Sequence, residues 1–363
     1  MSNAEKNKTH GAPTLSDVAR AAGVSHATVA QVYRGHGRIS ARTRQDVLDA
    51  GESLQYQPNP YAQRLAQGRN DTLVGLFSLN LDLGVGTQKV QRIQRALQDR
   101  GFLAPIHGYG NYDYEAEDQT DQVSLMGGLV RERPKAIVCA TSGIRPEALE
   151  ELRRYVKRGG IVVCYGYFDA VDLACDQVTL DSEWNTTLAA RHLVALGHTR
   201  IGLFVTGNYP PAPAWVKGFA QGLGDVPLNE EWIYNAGGVN QYEEGGMEMA
   251  ARFAALPRSK RPTGLCMVND FAAQAFVTEV LRLGLNVPRD ISVVGFDDAY
   301  PARHGRVPLT TVTHPVEEIV DTVLGLFDSR IDGSYQRSAR QVLIRGTIIH
   351  RESAAPLEAK FSV

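Results

Sequence analysis

Two groups of side chains in this sequence combine residue types and spacing that could do chemistry. The first follows a glycine in "LSDVARAAGVSHATVAQVYRG", where Ser25, His26, Ala27, Thr28 and Gln31 share one short candidate helix. These small and polar side chains are of a size that a nucleic-acid groove accepts. The second group closes two apolar runs, with Asn269-Asp270 ending "LCMVND" and Asp297-Asp298 ending "SVVGFDD". A carboxylate accepts two hydroxyls and an amide both donates and accepts, which is the chemistry of holding a polyol. The rival reading is an enzymatic carboxylate pair. Neighbours on an extended strand end point opposite ways, so one of Asp297 and Asp298 is expected to be structural.

The first group needs helices to present it. Thr14 or Ser16 caps a first helix with Val18, Ala19 and Ala22 on one face, and Gly23 ends it. Ser25 caps a second helix that turns Val29, Val32 and Tyr33 inward and leaves His26, Ala27, Thr28 and Gln31 outside. Ser40 opens a third, with Val47, Leu48 and Leu54 on the core side. Two helices about a glycine turn with a third behind them form a helix-turn-helix, whose second helix fits the major groove. Between residues 14 and 69 there are seven arginines against four acids, in a chain whose net charge is −2. A plain three-helix bundle with solvated arginines is the alternative. The segment "QPNPYAQRLAQGRNDT" that follows is helix-compatible but too short to be a stable helix alone.

The second group needs strands. From residue 73, apolar runs such as "LVGLFSL", "KAIVCAT", "GIVVCYGY", "RIGLFVTG", "TGLCMVND" and "ISVVGFDD" alternate with helix-length stretches at 86–100, 183–197, 242–256 and 271–284. Such alternation implies an α/β fold with doubly wound parallel sheets, and its length implies two lobes. Ligands of open α/β sheets bind outside the carboxyl ends of the strands, where both acidic clusters fall.

Composition bounds the rest. The 363 residues are 43% hydrophobic and 21% charged, as in an ordinary globular protein. No apolar run approaches the roughly 18 residues of a membrane span. The polar residues 1–13 lack the apolar centre of a secretory signal, so a flexible tail and a cytoplasmic protein are expected. Cys139, Cys164, Cys175 and Cys266 show no CxxC pair or zinc spacing, and are expected as buried thiols rather than metal ligands. No dinucleotide fingerprint, P-loop, HExxH or nucleophile–base constellation appears, so no cofactor and no enzymatic activity are expected.

The residues Asp17, Val18, Ala19, Ala22, Gly23, Val24, Ser25, Thr28, Val29, Val32 and Gly35, then Thr43, Arg44, Val47, Tyr56, Pro58, Asn59, Ala62 and Leu65, resemble the lactose/galactose repressor (LacI/GalR) family of bacterial transcription regulators. The resemblance continues through "LVALGHTRIGLFVTG", "VPRDISVVGFDDAYPARHGRVPLTTVTHP" and "RGTIIHRESAAP". It implies a helix-turn-helix DNA-binding domain at 14–58, a hinge helix or linker at 59–71, and a core at 72–363 like the type I periplasmic binding proteins. The first lobe would span about 72–180 and 313–340 and the second about 181–312 and 341–363, with crossings near 180, 312 and 340. The implied partners are a pseudo-palindromic double-stranded DNA operator, a second copy of the chain, and an effector that is a sugar, a nucleobase or a related metabolite. The implied DNA contacts are Ser25, His26, Ala27, Thr28, Gln31 and Arg34, with Asn59, Ala62 and a wedging Leu65 in the hinge. The implied effector contacts are Asp82, Trp215, Gln241, Tyr242, Asn269 and Asp297. Four features depart from the family pattern. Gln31 stands where an arginine is frequent, Trp215 where an arginine precedes the "GF" glycine, Gln241 where an aromatic ring is common, and Asp82 and Gly86 where aromatics follow the first strand. Trp215 is expected to restore a stacking face, and His198 to be structural. A solute-binding protein on the same core is the different-class alternative, disfavoured by the helix-turn-helix.

Overall fold

The computed structural model describes residues 13–34, 39–57, 70–79, 81, 84–108, 120–166, 171–205, 212–235 and 242–357. The chain divides into two compact units, residues 1–70 and 71–363.

In the first unit, α1 (Leu15–Ala21), α2 (His26–Arg34) and α3 (Ala41–Ser53) start at side-chain caps. Thr14 Oγ1 accepts from Asp17 N while the Asp17 carboxylate accepts from Thr14 N at 3.0 Å, a reciprocal capping box. Ser25 Oγ accepts from Thr28 N at 3.1 Å and Ser40 Oγ from Thr43 N at 3.0 Å. Each such cap stabilises its helix by about 0.5–2 kcal/mol. Between α1 and α2 the backbone turns through Gly23 at φ +66°, a conformation that side-chain-bearing residues resist. Val18, Ala19, Val29, Val32 and Val47 form the buried centre, and the rings of Tyr33 and Tyr56 meet edge to face at 5.4 Å. Leu48, expected inside, is 40% exposed. One residue further round the helix than Val47, it leaves the core side, and the half-buried Ala50 and Leu54 pack there instead.

The second unit begins with β1 (Asn70–Phe77), α4 (Gly84–Asp99), β2 (Ile106–His107), α5 (Thr120–Arg131), β3 (Pro134–Ala140), α6 (Pro146–Lys157), β4 (Ile161–Gly166) and β5 (Asp176–Leu180). After α7 (Ser182–Ala195) come β6 (Ile201–Val205), α8 (Ala212–Leu223), β7 (Ile233–Asn235), α9 (Tyr242–Ala255), β8 (Gly264–Cys266), α10 (Asp270–Arg282), β9 (Ser292–Asp297), α11 (Tyr300–His304) and β10 (Thr310–Thr313). The chain closes with α12 (Val316–Ile331), β11 (Gln341–Ile344) and β12 (Ile348–Ile349). Two six-stranded sheets result, ordered β11-β5-β4-β3-β1-β2 and β12-β10-β9-β8-β6-β7. In the second sheet the terminal β12 runs antiparallel to β10, while β10, β9, β8, β6 and β7 pair in parallel. The strands are buried on both faces, which explains their near-continuous Val, Ile and Leu runs. All four cysteines are buried free thiols, with Cys175 Sγ 3.5 Å from Cys164 Sγ.

The chain passes between the sheets three times: at Asp181 after β5, at His314-Pro315 after β10, and at residues 345–347 after β11. The last crossing follows the expected position near 340 because residues 341–344 pair in parallel with β5 and so remain in the first sheet. The crossings are bonded to one another. Asp181 N donates to Ile344 O at 2.8 Å, Gly346 N to Asn185 Oδ1 at 2.8 Å, and Thr347 N to Thr313 Oγ1 at 2.9 Å. Gly346 has no room for a side chain, since a Cβ there would stand 2.3 Å from the Thr313 carbonyl oxygen.

Below the third crossing, the fully buried Asp176 carboxylate accepts from Arg330 at 2.8 and 2.9 Å and from Arg340 at 2.6 Å. Tyr335 lies under both guanidinium groups. Burial pushes this carboxyl up, but the hydrogen bonds from Arg330 and Arg340 outweigh it and hold it at about 2. Its contribution to stability is therefore complete above the ordinary value of 3.8 and is lost as pH falls toward 2. Asp176→Ala leaves two arginines around an empty site and should cost roughly 3–5 kcal/mol in chemical denaturation at neutral pH. The difference between wild type and variant should shrink as the titration is repeated toward pH 2.

Candidate functional site

On α2 the helical repeat buries Val29 and Val32 against the other two helices. The same repeat leaves Ser25, His26, Ala27 and Gln31 exposed on the opposite side, with Thr28 half-buried. Ser25 and Thr28 join by their hydroxyls at 2.9 Å, so both also serve the cap. Arg34 ends the helix. Arg44 Nη1 donates to the Val32 carbonyl at 3.4 Å, satisfying one of the last carbonyls of α2. The hinge candidates Asn59, Ala62 and Leu65 lie outside the described residues, as do the effector candidates Asp82 and Gln241.

The remaining cleft positions fall at the carboxyl ends of the second sheet. Asn269 follows β8 and caps α10, its Oδ1 accepting from Ala272 N at 2.9 Å. That uses the carbonyl end of the amide and leaves the Nδ2 donors for another partner. Asp297 ends β9 at φ +98°, and Asp298 follows at φ +50°. Two successive residues in the left-handed region turn their side chains apart. The Asp298 carboxylate is held by Arg303 and Arg351, making it the structural member of the pair. The Asp297 side chain is 15% exposed, with Oδ1 3.4 Å from His314 Nδ1. Tyr242 opens α9, half-buried against the cluster of Met249, Ala250 and Phe276.

Trp215 differs from expectation. It is 8% exposed, and its ring lies 4.5 Å from that of Phe296 within a cluster that includes Leu203, Val205 and Phe219. The indole is a packing element of the second lobe rather than an open stacking platform. Its buried Nε1 has no hydrogen-bond partner among the described residues. His198 is buried as expected, between Thr263 Oγ1 at 3.0 Å and the Ala355 carbonyl at 3.2 Å.

Of three further groups beside these strand ends, Asp270 was a candidate in the sequence, whereas Lys89 and His314 were not foreseen. Asp270, the first residue of α10, is buried. Its carboxyl accepts from Thr311 Oγ1 at 2.7 Å and from Ala299 N at 2.8 Å. Burial and the neighbouring Asp297 push it well above the usual carboxylate range. Lys89 on α4 is 2% exposed, with Nζ 3.1 Å from His314 Nε2 and 5.5 Å from the centre of the Tyr165 ring. Burial lowers Lys89 to about 7 against the attraction of Asp297. Burial, helped by Lys89, lowers His314 to about 4. A signal for Lys89 is present in the sequence: it stands in the row of Val85, Ile93 and Leu97, where every other member is buried and apolar.

Residues 14–59 match the family described as bacterial regulatory proteins, lacI family, and residues 190–354 match a periplasmic binding protein-like domain. The HTH-type transcriptional regulator DegA of Bacillus subtilis (strain 168) is 29% identical over 351 residues, covering 95% of this chain and 98% of its own. GalR of Salmonella typhimurium (strain LT2) is 31% identical over 307 residues, covering 84% of this chain and 85% of its own. The fold is also that of the lac repressor dimer bound to operator and the anti-inducer ONPF, with a TM-score of 0.74 at 23% identity over 95% of this chain and 100% of that one. These relatives are regulators rather than enzymes. With a capped helix-turn-helix before a two-sheet core and a 31% identical regulator aligned along most of its length, the chain belongs to the lacI family and is a ligand-responsive DNA-binding transcription regulator.

Proposed function

We propose that this regulator works in the cytoplasm as a homodimeric repressor, placing α2 of each copy in the major groove of a pseudo-palindromic operator. The observation that carries this reading is the two-sided character of α2, with Val29 and Val32 buried and His26, Ala27 and Gln31 exposed beside the glycine turn. Gln31 reads an adenine edge, Ala27 packs on a thymine methyl, and His26 meets a guanine edge or a phosphate. Ser25, Thr28 and Arg34 contact the backbone and fix register. Asn59, Ala62 and Leu65 form a hinge helix that enters the minor groove, with Leu65 wedged at the centre of the operator.

The effector binds between the lobes, where Asn269 donates to it and Asp297 accepts from it. Asp82, Tyr242 and Gln241 line the rim, and Trp215 supports the wall through Phe296. The charged group among the described residues proposed for the pocket is the partly exposed Asp297 carboxylate, which favours a neutral, hydroxyl-bearing molecule. The lac repressor structure with ONPF supports a small-molecule site in this core. Binding changes the lobe arrangement and so the spacing of the two hinges, coupling the ligand site to the DNA site.

Mobility shifts on the promoter DNA flanking the gene, over a series of salt concentrations, test the DNA reading. Gln31→Ala should cost about 1–3 kcal/mol at one base pair of each half-site and leave other positions unchanged. Equal weakening on every sequence would rule out base reading by Gln31. For the effector, a thermal-shift screen of neutral sugars and nucleobases should find a stabilising compound. Asp297→Asn should then lose roughly 1.5–3 kcal/mol of its binding. A variant that binds as well as wild type would remove Asp297 from the site.

A further inference from the structure

Lys89, His314 and Asp297 form a chain of groups that runs from one lobe to the other. Lys89 belongs to α4, whose apolar row packs with α12 on the first sheet. Asp297 ends a strand of the second sheet, and His314 stands at the crossing between them. The Lys89 ammonium can only donate, so its 3.1 Å hydrogen bond makes His314 Nε2 the acceptor. The proton of the neutral imidazole is then on Nδ1, which faces Asp297 Oδ1 at 3.4 Å. Held at about 4, His314 stays neutral throughout the physiological range.

The charged groups around this chain have partners of their own. On α4 itself Arg92 pairs with Glu317 of α12. At the end of β9, Asp298 is held by Arg303 of α11 and by Arg351. From α10 the Asp270 carboxyl accepts from Thr311 and the Ala299 amide. From β4 comes the Tyr165 ring, its hydroxyl buried and pushed above the ordinary range by that burial.

We propose that Lys89 is a positioning residue of the effector site, acting through the His314 imidazole to fix the orientation of Asp297 from the opposite lobe. This rests on the assignment of Asp297 to the effector. It sharpens the class of ligand. An incoming molecule meets the Asp297 carboxylate, 15% exposed, whereas its basic partner lies behind the imidazole at 2% exposure. A ligand anion would stand beside a like charge with the lysine out of reach, while hydroxyl donors meet an oriented acceptor. The site therefore takes neutral polyhydroxyl compounds in preference to the corresponding acids.

The same geometry links binding to protons. Lys89 titrates near pH 7 because burial outweighs the attraction of Asp297. Hydroxyls donating to Asp297 weaken that attraction and displace water, so the occupied site favours the neutral amine. Binding releases a proton, and affinity rises with pH through neutrality.

Calorimetry on the full-length protein tests this, with glucose, galactose and cellobiose set against gluconate, glucuronate and galacturonate at pH 6, 7 and 8. Two buffers of different ionisation enthalpy count the protons, a readout that needs no variant. A neutral sugar should bind several-fold more tightly at pH 8 than at pH 6, with proton release. Lys89→Met, which fills the apolar row, should weaken binding at pH 8 and flatten the pH dependence. Lys89→Arg keeps a donor toward His314 but cannot lose its charge, so it should hold about the wild-type pH 6 affinity at every pH. His314→Gln keeps an amide between the two charges and should also flatten the profile. An unchanged pH dependence in Lys89→Met, absence of proton release in wild type, or tighter binding of an acid than of its neutral counterpart would overturn the proposal. Failure of every compound to bind would overturn the ligand class. Undiminished binding by Asp297→Asn would instead overturn the underlying assignment of Asp297.

Discussion

The second unit depends on three stretches of chain crossing side by side between two sheets. Each crossing leaves a strand whose end faces the cleft, and each must satisfy its backbone groups away from regular structure. The solution is mutual: Asp181 N to Ile344 O, Gly346 N to Asn185, and Thr347 N to Thr313 Oγ1. Arg345 completes it, pairing with Asp181 and lying over the Trp184 ring. Asp297 takes its place from this arrangement, since His314 N donates to its carbonyl at 3.2 Å immediately after β10. A change in the angle between the lobes acts on these few residues, and the proposed ligand group Asp297 lies beside one of them across paired strands.

Buried carboxylates near this pivot are stabilised in different ways, and the differences separate structure from ligand chemistry. Asp176 remains ionised between two arginines over a tyrosine ring. Asp298 is likewise paired with two arginines. Asp270 receives a hydroxyl and a backbone amide, and burial favours its neutral form. Asp297 alone of these four has a neutral ring beside it and a partly open oxygen edge. A carboxylate surrounded by permanent cations is finished as a structural element, whereas one steadied through an imidazole still has acceptor capacity to offer.

Much of the helix-turn-helix was legible because its signals are local. Thr14 with Asp17, Gly23 at positive φ, Ser25 and Ser40 each act within three or four residues, and the cap geometry follows from residue type. The strand ends were legible because a buried parallel strand is a continuous apolar run that must stop at a polar residue. Leu48 was misplaced because it adjoins Val47, and the repeat of α3 divides them between two faces. Trp215 looked like a platform because its type suits stacking, but a side chain's exposure depends on what another strand supplies, here Phe296. A lysine is ordinarily solvated, and nothing in the residue type of Lys89 says otherwise. Only its place in an apolar row hinted otherwise, and its partner is 225 residues away in the chain.

The final crossing has one more effect. Residues 341–349 supply the outermost strand of both sheets, β11 beside β5 and β12 beside β10. Until that segment is made, β5 and β10 are edges with open hydrogen-bonding rows, the type of surface that recruits strands from other chains. A chain that stops before residue 341 thus has two adhesive edges at once, and this one short segment seals both.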